Sequence, residues 1–158
     1  MQWSTEPNGG LSKSDKLVLP VIAEGAYGFH HVNVAAQRRD PNSLLNWTER
    51  IIRMRKEVPE IGWGDFSFPA TGNSTVLAVR YDWRENSVVF LHNLSAEPQE
   101  VRFSVRGPEQ ERRTLVNLLS EDHSYAEKGG KHCVMLEPYV YRWFRVGGLD
   151  YLLKRTEV

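Results

Sequence analysis

A tryptophan beside an amide side chain, at Gln2 and Trp3, forms the pair of residues best suited to contact a sugar. An indole ring can stack on the apolar face of a pyranose, and an amide can both donate to hydroxyl groups and accept from them. Gln2 and Trp3 are therefore a candidate sugar platform, with packing against the protein as the alternative. Three further tryptophans are candidate stacking residues, with burial as the alternative for each: Trp63, Trp83 and Trp143.

Cleaving or forming a glycosidic bond requires two carboxylates, one on each side of the bond. Several carboxylates are available, and none stands in a pattern that would tune it for catalysis: Glu24, Asp40, Glu57, Glu60, Asp65, Asp82 and Glu85. Asp40 precedes a helical pattern and is explained as a cap, and the others flank turns or the end of that helix. The sequence therefore predicts no catalytic residue.

Metal and thiol chemistry have no support in the sequence. The five histidines are scattered, with no His-Glu-x-x-His pattern and no Cys/His cluster: His30, His31, His92, His123 and His132. Cys133, the single cysteine, lies in an apolar run and is predicted to be a small buried hydrophobe. His92 lies in a β-prone run and is predicted to be a hydrogen-bonded sheet residue. We expect no metal and no cofactor.

Charge and hydropathy argue against two classes of partner. Twenty basic residues balance twenty acidic ones, so no field of one sign would attract nucleic acid or anionic lipid. No apolar stretch approaches the roughly 20 residues that span a bilayer, and the N-terminus carries no apolar targeting region. We expect a cytoplasmic protein without a membrane or nucleic-acid partner.

Residues 1–39 show no sustained periodicity, and Val32 and Val34 belong at most to a short extended piece. So long an irregular segment is unusual inside a compact domain, and is either a functional loop or a segment without the scaffold on which it packs.

A long α-helix is predicted next. Asp40 is the expected N-cap, Pro41 fits the first turn, and Pro59 ends the helix. Its apolar face consists of Leu44, Leu45, Ile51 and Ile52. Exposing such a face costs several kcal/mol at roughly 25 cal/mol per Å², so we expect it to lie on the rest of the chain or on a second copy.

The remainder of the chain is predicted to be β. Six β-prone segments are separated by turn residues: Val76–Asp82, Ser87–Leu94, Glu100–Val105, Arg113–Leu119, His132–Leu136 and Tyr139–Val146. Val101, Phe103 and Val105 alternate with Arg102, Ser104 and Arg106, as in a strand with one wet face. The expected fold is mainly β: an antiparallel β-sandwich over residues 63–158, preceded over residues 1–62 by an irregular loop and one long helix.

Three segments resemble a known family. Met1–Ser4 with Asn8-Gly9-Gly10 is similar to the loop after the eighth barrel strand of α-amylase-family glucosidases and glucosyltransferases. Asp40–Leu45 is similar to the approach to the last barrel helix. The aromatic run and Gly-Gly break of Tyr139–Arg155 resemble the C-terminus of trehalose synthases within that family.

The resemblance implies a parent enzyme that interconverts maltose and trehalose. Residues 1–62 would be the end of its (β/α)8 barrel, and residues 63–158 its C-terminal sandwich. The family's aspartate nucleophile, glutamate acid/base and supporting aspartate precede the Gln2-Trp3 loop, so no position here matches them. By the same resemblance, Gln2 and Trp3 would be substrate-binding residues near the sugar pocket.

Two functional hypotheses follow. The first is a non-catalytic C-terminal portion of a trehalose synthase-like enzyme, inactive alone, whose partner is the missing catalytic barrel. The second is a free-standing carbohydrate-binding or assembly module of sandwich type. The apolar helix face would be covered either by the sandwich or by self-association through Leu44, Leu45, Ile51 and Ile52.

Overall fold

The computed structural model describes residues 1–105 and 114–147. The chain forms two compact units, Met1–Lys56 and a second that begins at Glu57. None of the helices in the described residues is both long and apolar enough to cross a membrane. The predicted turn at Gly107-Pro108 and the tail Leu149–Arg155 lie outside the described residues, and the division into domains 1–62 and 63–158 stays a prediction.

The N-terminal part contains a short 3-10 segment, Pro7–Gly10, and two α-helices, α1 (Val34–Arg39) and α2 (Leu44–Glu57). The expectation of extended backbone at Val34 was wrong. Asn33 acts as an N-cap whose side chain accepts a hydrogen bond from the backbone N–H of Ala36 at 2.8 Å. An Asn cap satisfies a helix-start donor that otherwise lacks a partner, so Val34 begins a helix.

The start of α2 also differs from the prediction, because Asp40 follows α1 and forms the turn between the helices. Its carboxylate accepts from the N–H of Asn42 at 2.9 Å. The first N–H groups of α2 are satisfied from elsewhere: Gln37 Oε1 accepts from Leu45 at 2.9 Å, and Ser43 Oγ accepts from Asn46 at 3.2 Å. The helix therefore begins at Leu44, and its cap comes partly from the preceding helix.

Helix α2 is amphipathic as predicted, but it buries none of its residues. Leu44 is 69% exposed and Ile52 is 51% exposed. An (i, i+4) ion pair lies on its solvent side, with Arg53 Nη2 2.9 Å from Glu49 Oε1.

Within its described residues, the second unit contains a one-turn helix, α3 (Glu60–Trp63), and eight antiparallel strands. The strands are β1 (Asp65–Ser67), β2 (Val76–Trp83), β3 (Asn86–Asn93), β4 (Gln99–Ser104), β5 (Thr114–Asn117), β6 (Ser124–Tyr125), β7 (Lys131–Leu136) and β8 (Tyr141–Val146). One sheet has the order β1-β2-β3-β8-β5-β6, and the other pairs β4 with β7.

One core lies between the two sheets, which confirms the mainly β, antiparallel fold class. The larger sheet contributes Val76, Ala78, Val89, Leu91, Leu115 and Phe144, and the smaller sheet with its flank contributes Val101, Phe103, Val105, Val134 and Leu136. The predicted alternation on β4 holds in the described residues, where Arg102 and Ser104 are exposed. Two-sheet packing of this kind buries one face of each strand and leaves the other to solvent or to other elements.

Several local expectations are corrected. Strands β1 and β6 were not predicted, because three and two residues are too short for a periodic pattern. The last strand starts at Tyr141, since Tyr139 has a φ of 57° and belongs to a turn. Cys133 is half-buried, because the inner positions of β7 are taken by its neighbours His132 and Val134.

A buried ion pair joins α3 to β8. Arg145 Nη1 donates to Glu60 Oε1 at 2.5 Å, and the two side chains are 8% and 0% exposed. Glu60 accordingly has a structural environment and not a catalytic one. Charges this deep are tolerated when they are paired and hydrogen-bonded.

Removing one partner should leave the other charge buried and uncompensated. We expect Glu60→Ala to lower the free energy of unfolding by about 3–5 kcal/mol, measured by urea denaturation. The matched control is Glu100→Ala, which breaks an exposed pair with Arg102 (N···O 2.7 Å) and should leave stability unchanged. Equal effects of the two substitutions would contradict a structural role for the buried pair.

Candidate functional site

The side-chain amide of Gln2 is committed to the protein's own backbone. Its Nε2 donates to the carbonyl oxygens of Ile22 and Tyr27, both at 3.1 Å. An amide nitrogen carries two hydrogens, so both donors are used and only the amide oxygen remains available to a ligand. The side chain of Gln2 therefore links the irregular segment around residues 22–27 to the N-terminal residues of the chain.

The backbone around Gln2 and Trp3 is fixed on two sides. On one side the N–H of Trp3 donates to the carbonyl of Gly9 at 2.8 Å. On the other, the N–H groups of Val34 and Ala35 donate to the carbonyls of Gln2 and Trp3 at 3.0 and 2.9 Å. These bonds satisfy first-turn donors of α1 that have no partner within the helix. The indole of Trp3 is held on this rigid segment and is 47% exposed.

Gln2 lines a cavity of about 320 Å³ in the first unit, and Trp3 does not. Most of the wall is apolar and comes from the starts of α1 and α2, including Val34, Leu44 and Leu45. The two members of the candidate platform thus do not share one concave surface here. Their sugar-binding role stays a prediction, with Trp3 offering an open ring and Gln2 one acceptor.

The three other candidate tryptophans have different environments. Trp63, at the end of α3, is 78% exposed. Trp83 is half-buried, and the guanidinium carbon of Arg84 lies 4.3 Å from its ring centroid, which covers one face. Trp143 packs on Phe90 with ring centroids 4.6 Å apart, and its buried Nε1 has no hydrogen-bond partner among the described residues. Of these three tryptophans, only Trp63 has a largely exposed ring.

The carboxylates considered for catalysis are separated by environment. Glu60 is the buried one and pairs with Arg145, whereas Asp82 pairs with Arg80 Nη2 at 2.6 Å. Asp40 forms the turn before α2. The remaining four are exposed: Glu24, Glu57, Asp65 and Glu85. None of the seven combines burial with a second carboxylate as its partner, which acid/base work on a glycosidic bond would require.

The histidines occupy sheet and loop positions. His92 is half-buried and stacks on Tyr141 with centroids 5.9 Å apart, and burial lowers the pKa of His92 below its ordinary value. His132 is fully buried, with Nδ1 3.0 Å from Ser124 Oγ. Within residues 1–105 and 114–147, no group of three His, Cys, Asp or Glu residues is placed to hold a metal ion.

Comparison with known proteins agrees with this fold. Residues 86–145 match the family model for the C-terminal domain of sucrose hydrolase-like proteins. A trehalose synthase from Pimelobacter sp. (strain R48) is 34% identical over 156 residues, which cover 95% of this chain and 27% of that protein. The chain belongs to the trehalose synthase-like branch of the α-amylase family. It carries the C-terminal β domain of such a protein.

A second relative is similar in sequence, and a solved structure shares the fold. A trehalose synthase/amylase from Mycolicibacterium smegmatis is 33% identical over 117 residues, covering 67% of this chain and 20% of that protein. The crystal structure of trehalulose synthase from Pseudomonas mesoacidophila MX-45 superposes with a TM-score of 0.66 at 21% identity, covering 92% of this chain and 24% of that one. This trehalose synthase-like chain spans about a quarter of the length of the relatives it matches, so it corresponds to one part of a larger protein.

The two hydrogen bonds donated by the Gln2 side chain can be tested by substitution. Gln2→Glu removes both amide donors, so the carbonyl of Tyr27 loses the Gln2 bond and that of Ile22 keeps only the N–H of Phe29, at 2.9 Å. We expect faster amide hydrogen exchange across residues 22–36, and a loss of about 1–3 kcal/mol in local stability.

The matched control is Trp3→Phe, which keeps the backbone bonds of this segment and an aromatic ring. It should leave the same amides protected. Unchanged exchange in Gln2→Glu would show that the two hydrogen bonds do not hold the segment.

Proposed function

We propose that this chain is the non-catalytic C-terminal portion of an enzyme that interconverts maltose and trehalose, an isomerase, and that it braces the enzyme's catalytic barrel. The observation that supports this most strongly is the missing core of the first unit. Across Met1–Lys56, all of which the structure describes, Phe29 is the only buried apolar side chain larger than glycine. The second unit has a contiguous apolar core.

A segment of this length cannot offset its conformational entropy with one buried side chain. Ordering a residue costs about 1–2 kcal/mol in backbone entropy alone, while burying a phenylalanine returns about 1.5–3 kcal/mol. The hydrogen bonds of Gln2, Asn33 and Gln37 define a shape but contribute little net stability in water. A segment that has a defined conformation but no apolar core of its own is expected to pack on another part of the protein.

We propose that the first unit packs on the catalytic barrel. The exposed stripe of α2, Leu44 to Ile52, is typical of a helix face that packs on another element, and by the family resemblance this helix would be the last one of the barrel. Self-association through Leu44, Leu45, Ile51 and Ile52 is the alternative cover. The proposed compartment is the cytoplasm, without cofactor, membrane or nucleic-acid partner.

A free-standing carbohydrate-binding or assembly module is the second candidate. One observation favours it: the ring of Trp63 is 78% exposed at the end of α3. Tryptophan is enriched at binding surfaces, because its large ring can stack on a ligand while its N–H remains free to donate. Binding through this ring would be lost in Trp63→Ala while folding is retained.

The absence of turnover is the first expected outcome. The purified chain incubated with maltose should yield no trehalose or glucose above a buffer control, because the family's catalytic carboxylates have no counterpart in the proposed C-terminal portion. Product measured by anion-exchange chromatography, and abolished by heat treatment, would overturn the proposal.

The second expected outcome concerns the stability of the first unit when nothing packs on its exposed apolar side chains. In the isolated chain, amides of α1 and α2 should exchange much faster than those of β3 and β8, because exchange follows local opening. A substitution on the stripe, Ile52→Ser, should not change the unfolding midpoint of the second unit. Equal protection of α2 and β3 at a dilution that keeps the chain monomeric would argue against a need for the barrel.

A further inference from the structure

The larger sheet has a second apolar face, which points away from the core. In the antiparallel register, Tyr81 on β2 pairs with Phe66 on β1 and with Val88 on β3, and Phe90 on β3 pairs with Trp143 on β8. The residues on β2, β3 and β8 alternate with core residues of the same strands, so this whole set lies on the outer side of the sheet. An antiparallel sheet commonly has a polar outer face that meets solvent, and this sheet does not.

The aromatic rings on the outer face contact one another in a row across four strands. Their centroids are 5.7 Å apart from Phe68 to Phe66, 6.3 Å from Phe66 to Tyr81, 5.6 Å from Tyr81 to Phe90 and 4.6 Å from Phe90 to Trp143. Phe90 is 7% exposed, whereas Phe66 and Phe68, at the β1 end of the row, are 63% and 66% exposed. The row is therefore a continuous apolar surface that is open to solvent at the β1 end.

The outer face of the smaller sheet has the opposite character. Glu100 and Arg102 on β4 and Lys131 on β7 point away from the core and are exposed. On the larger sheet, the described outward positions of β1, β2, β3 and β8 include a single Asp, Glu, Lys or Arg residue, Arg145, and its charge is paired with Glu60. The smaller sheet thus has an outer face suited to water, and the larger sheet has one suited to an apolar neighbour.

We propose that the outer face of the larger sheet is the surface on which the rest of the larger polypeptide packs. This chain spans about a quarter of the length of the relatives it matches, so such a neighbour belongs to the same protein. The second unit begins at Glu57, and α3 comes three residues later and is joined to this same face by the pair of Glu60 with Arg145. The polypeptide therefore reaches the second unit at its apolar outer face. The inference rests on the proposed function only for the identity of the neighbour as the catalytic barrel.

A second copy of the chain is a weaker candidate, because the open part of the face is small. The exposed two thirds of Phe66 and Phe68 amount to roughly 200–300 Å², at about 150–250 Å² per aromatic side chain. Two such surfaces would bury far less than the roughly 1,200–2,000 Å² of a stable complex between separate proteins. Parts of one polypeptide are held at a high effective concentration, so a small apolar surface is sufficient between them.

The experiment compares the full 158-residue chain alone with the same chain joined to the Pimelobacter trehalose synthase in place of the part that it matches. Hydroxyl-radical footprinting, read by mass spectrometry, measures the exposure of each side chain. We expect the oxidation rates of Phe66 and Phe68 to fall by about fivefold or more in the joined protein, because packing at an interface core excludes water. The matched control is Met135, which is 53% exposed on the outer face of the smaller sheet and should be oxidised equally in both proteins.

A substitution tests the same contact through stability. Phe66→Ser should leave the unfolding midpoint of the chain alone unchanged, because the ring is largely exposed there. In the joined protein the same substitution should lower the midpoint, because the ring is then buried against its neighbour. Met135→Ser should leave both midpoints unchanged.

Two results would overturn the inference. One is equal oxidation of Phe66 in the two proteins, and the other is protection in the chain alone that grows with its concentration, which would identify a second copy as the occupant. A joined protein that protects Phe66 but forms no trehalose from maltose would count against the proposed function and support the inference. If the buried Phe144 is also oxidised, the sandwich has unfolded, and the same comparison with the relative's remaining part added as a separate polypeptide decides the matter.

Discussion

The ion pair of Glu60 and Arg145 is the interaction on which the second unit depends. It fixes a one-turn helix, too short to be stable alone, against the outer side of the larger sheet. Val58 and Val88 are 1% and 0% exposed beside it, so the pair is part of a dry layer. Gly64 shows how close the approach is, since a Cβ there would lie 2.6 Å from the carbonyl oxygen of Glu60 and 2.7 Å from that of Asp82.

The strands could be predicted because their cause is local. Six apolar or alternating runs became β2–β5, β7 and β8 with shifts of one or two residues, and turn residues separate them. Strands β1 and β6 have no pattern of their own and exist because a neighbouring strand offers an edge. The start of α2 was misplaced for a related reason, since the oxygen that caps Leu45 belongs to Gln37 in another helix.

Contacts between residues that are far apart in the sequence could not be predicted from the sequence alone. Glu60 and Arg145 are 85 positions apart, and neither stands in a motif that announces the other. Gln2 was noticed for the right chemistry, hydrogen bonding by an amide, but its partners are backbone carbonyls 20 and 25 residues away. The cluster of Arg80, Asp82 and Ser87 had no sequence signature either, because Ser87 joins it from the neighbouring strand. Polar residues on strands are ordinary, and only the fold brings these together.

The position of β8 determines when the sheet can form. This strand is the last in the described chain, yet it lies between β3 and β5 in the middle of the larger sheet. During synthesis, the edge of β3, with Val88, Val89 and Phe90, therefore remains unpaired until Tyr141–Val146 has left the ribosome. An open apolar edge favours aggregation, so the nascent protein has an interval in which chaperone binding is beneficial, and the larger sheet is completed only once β8 is available.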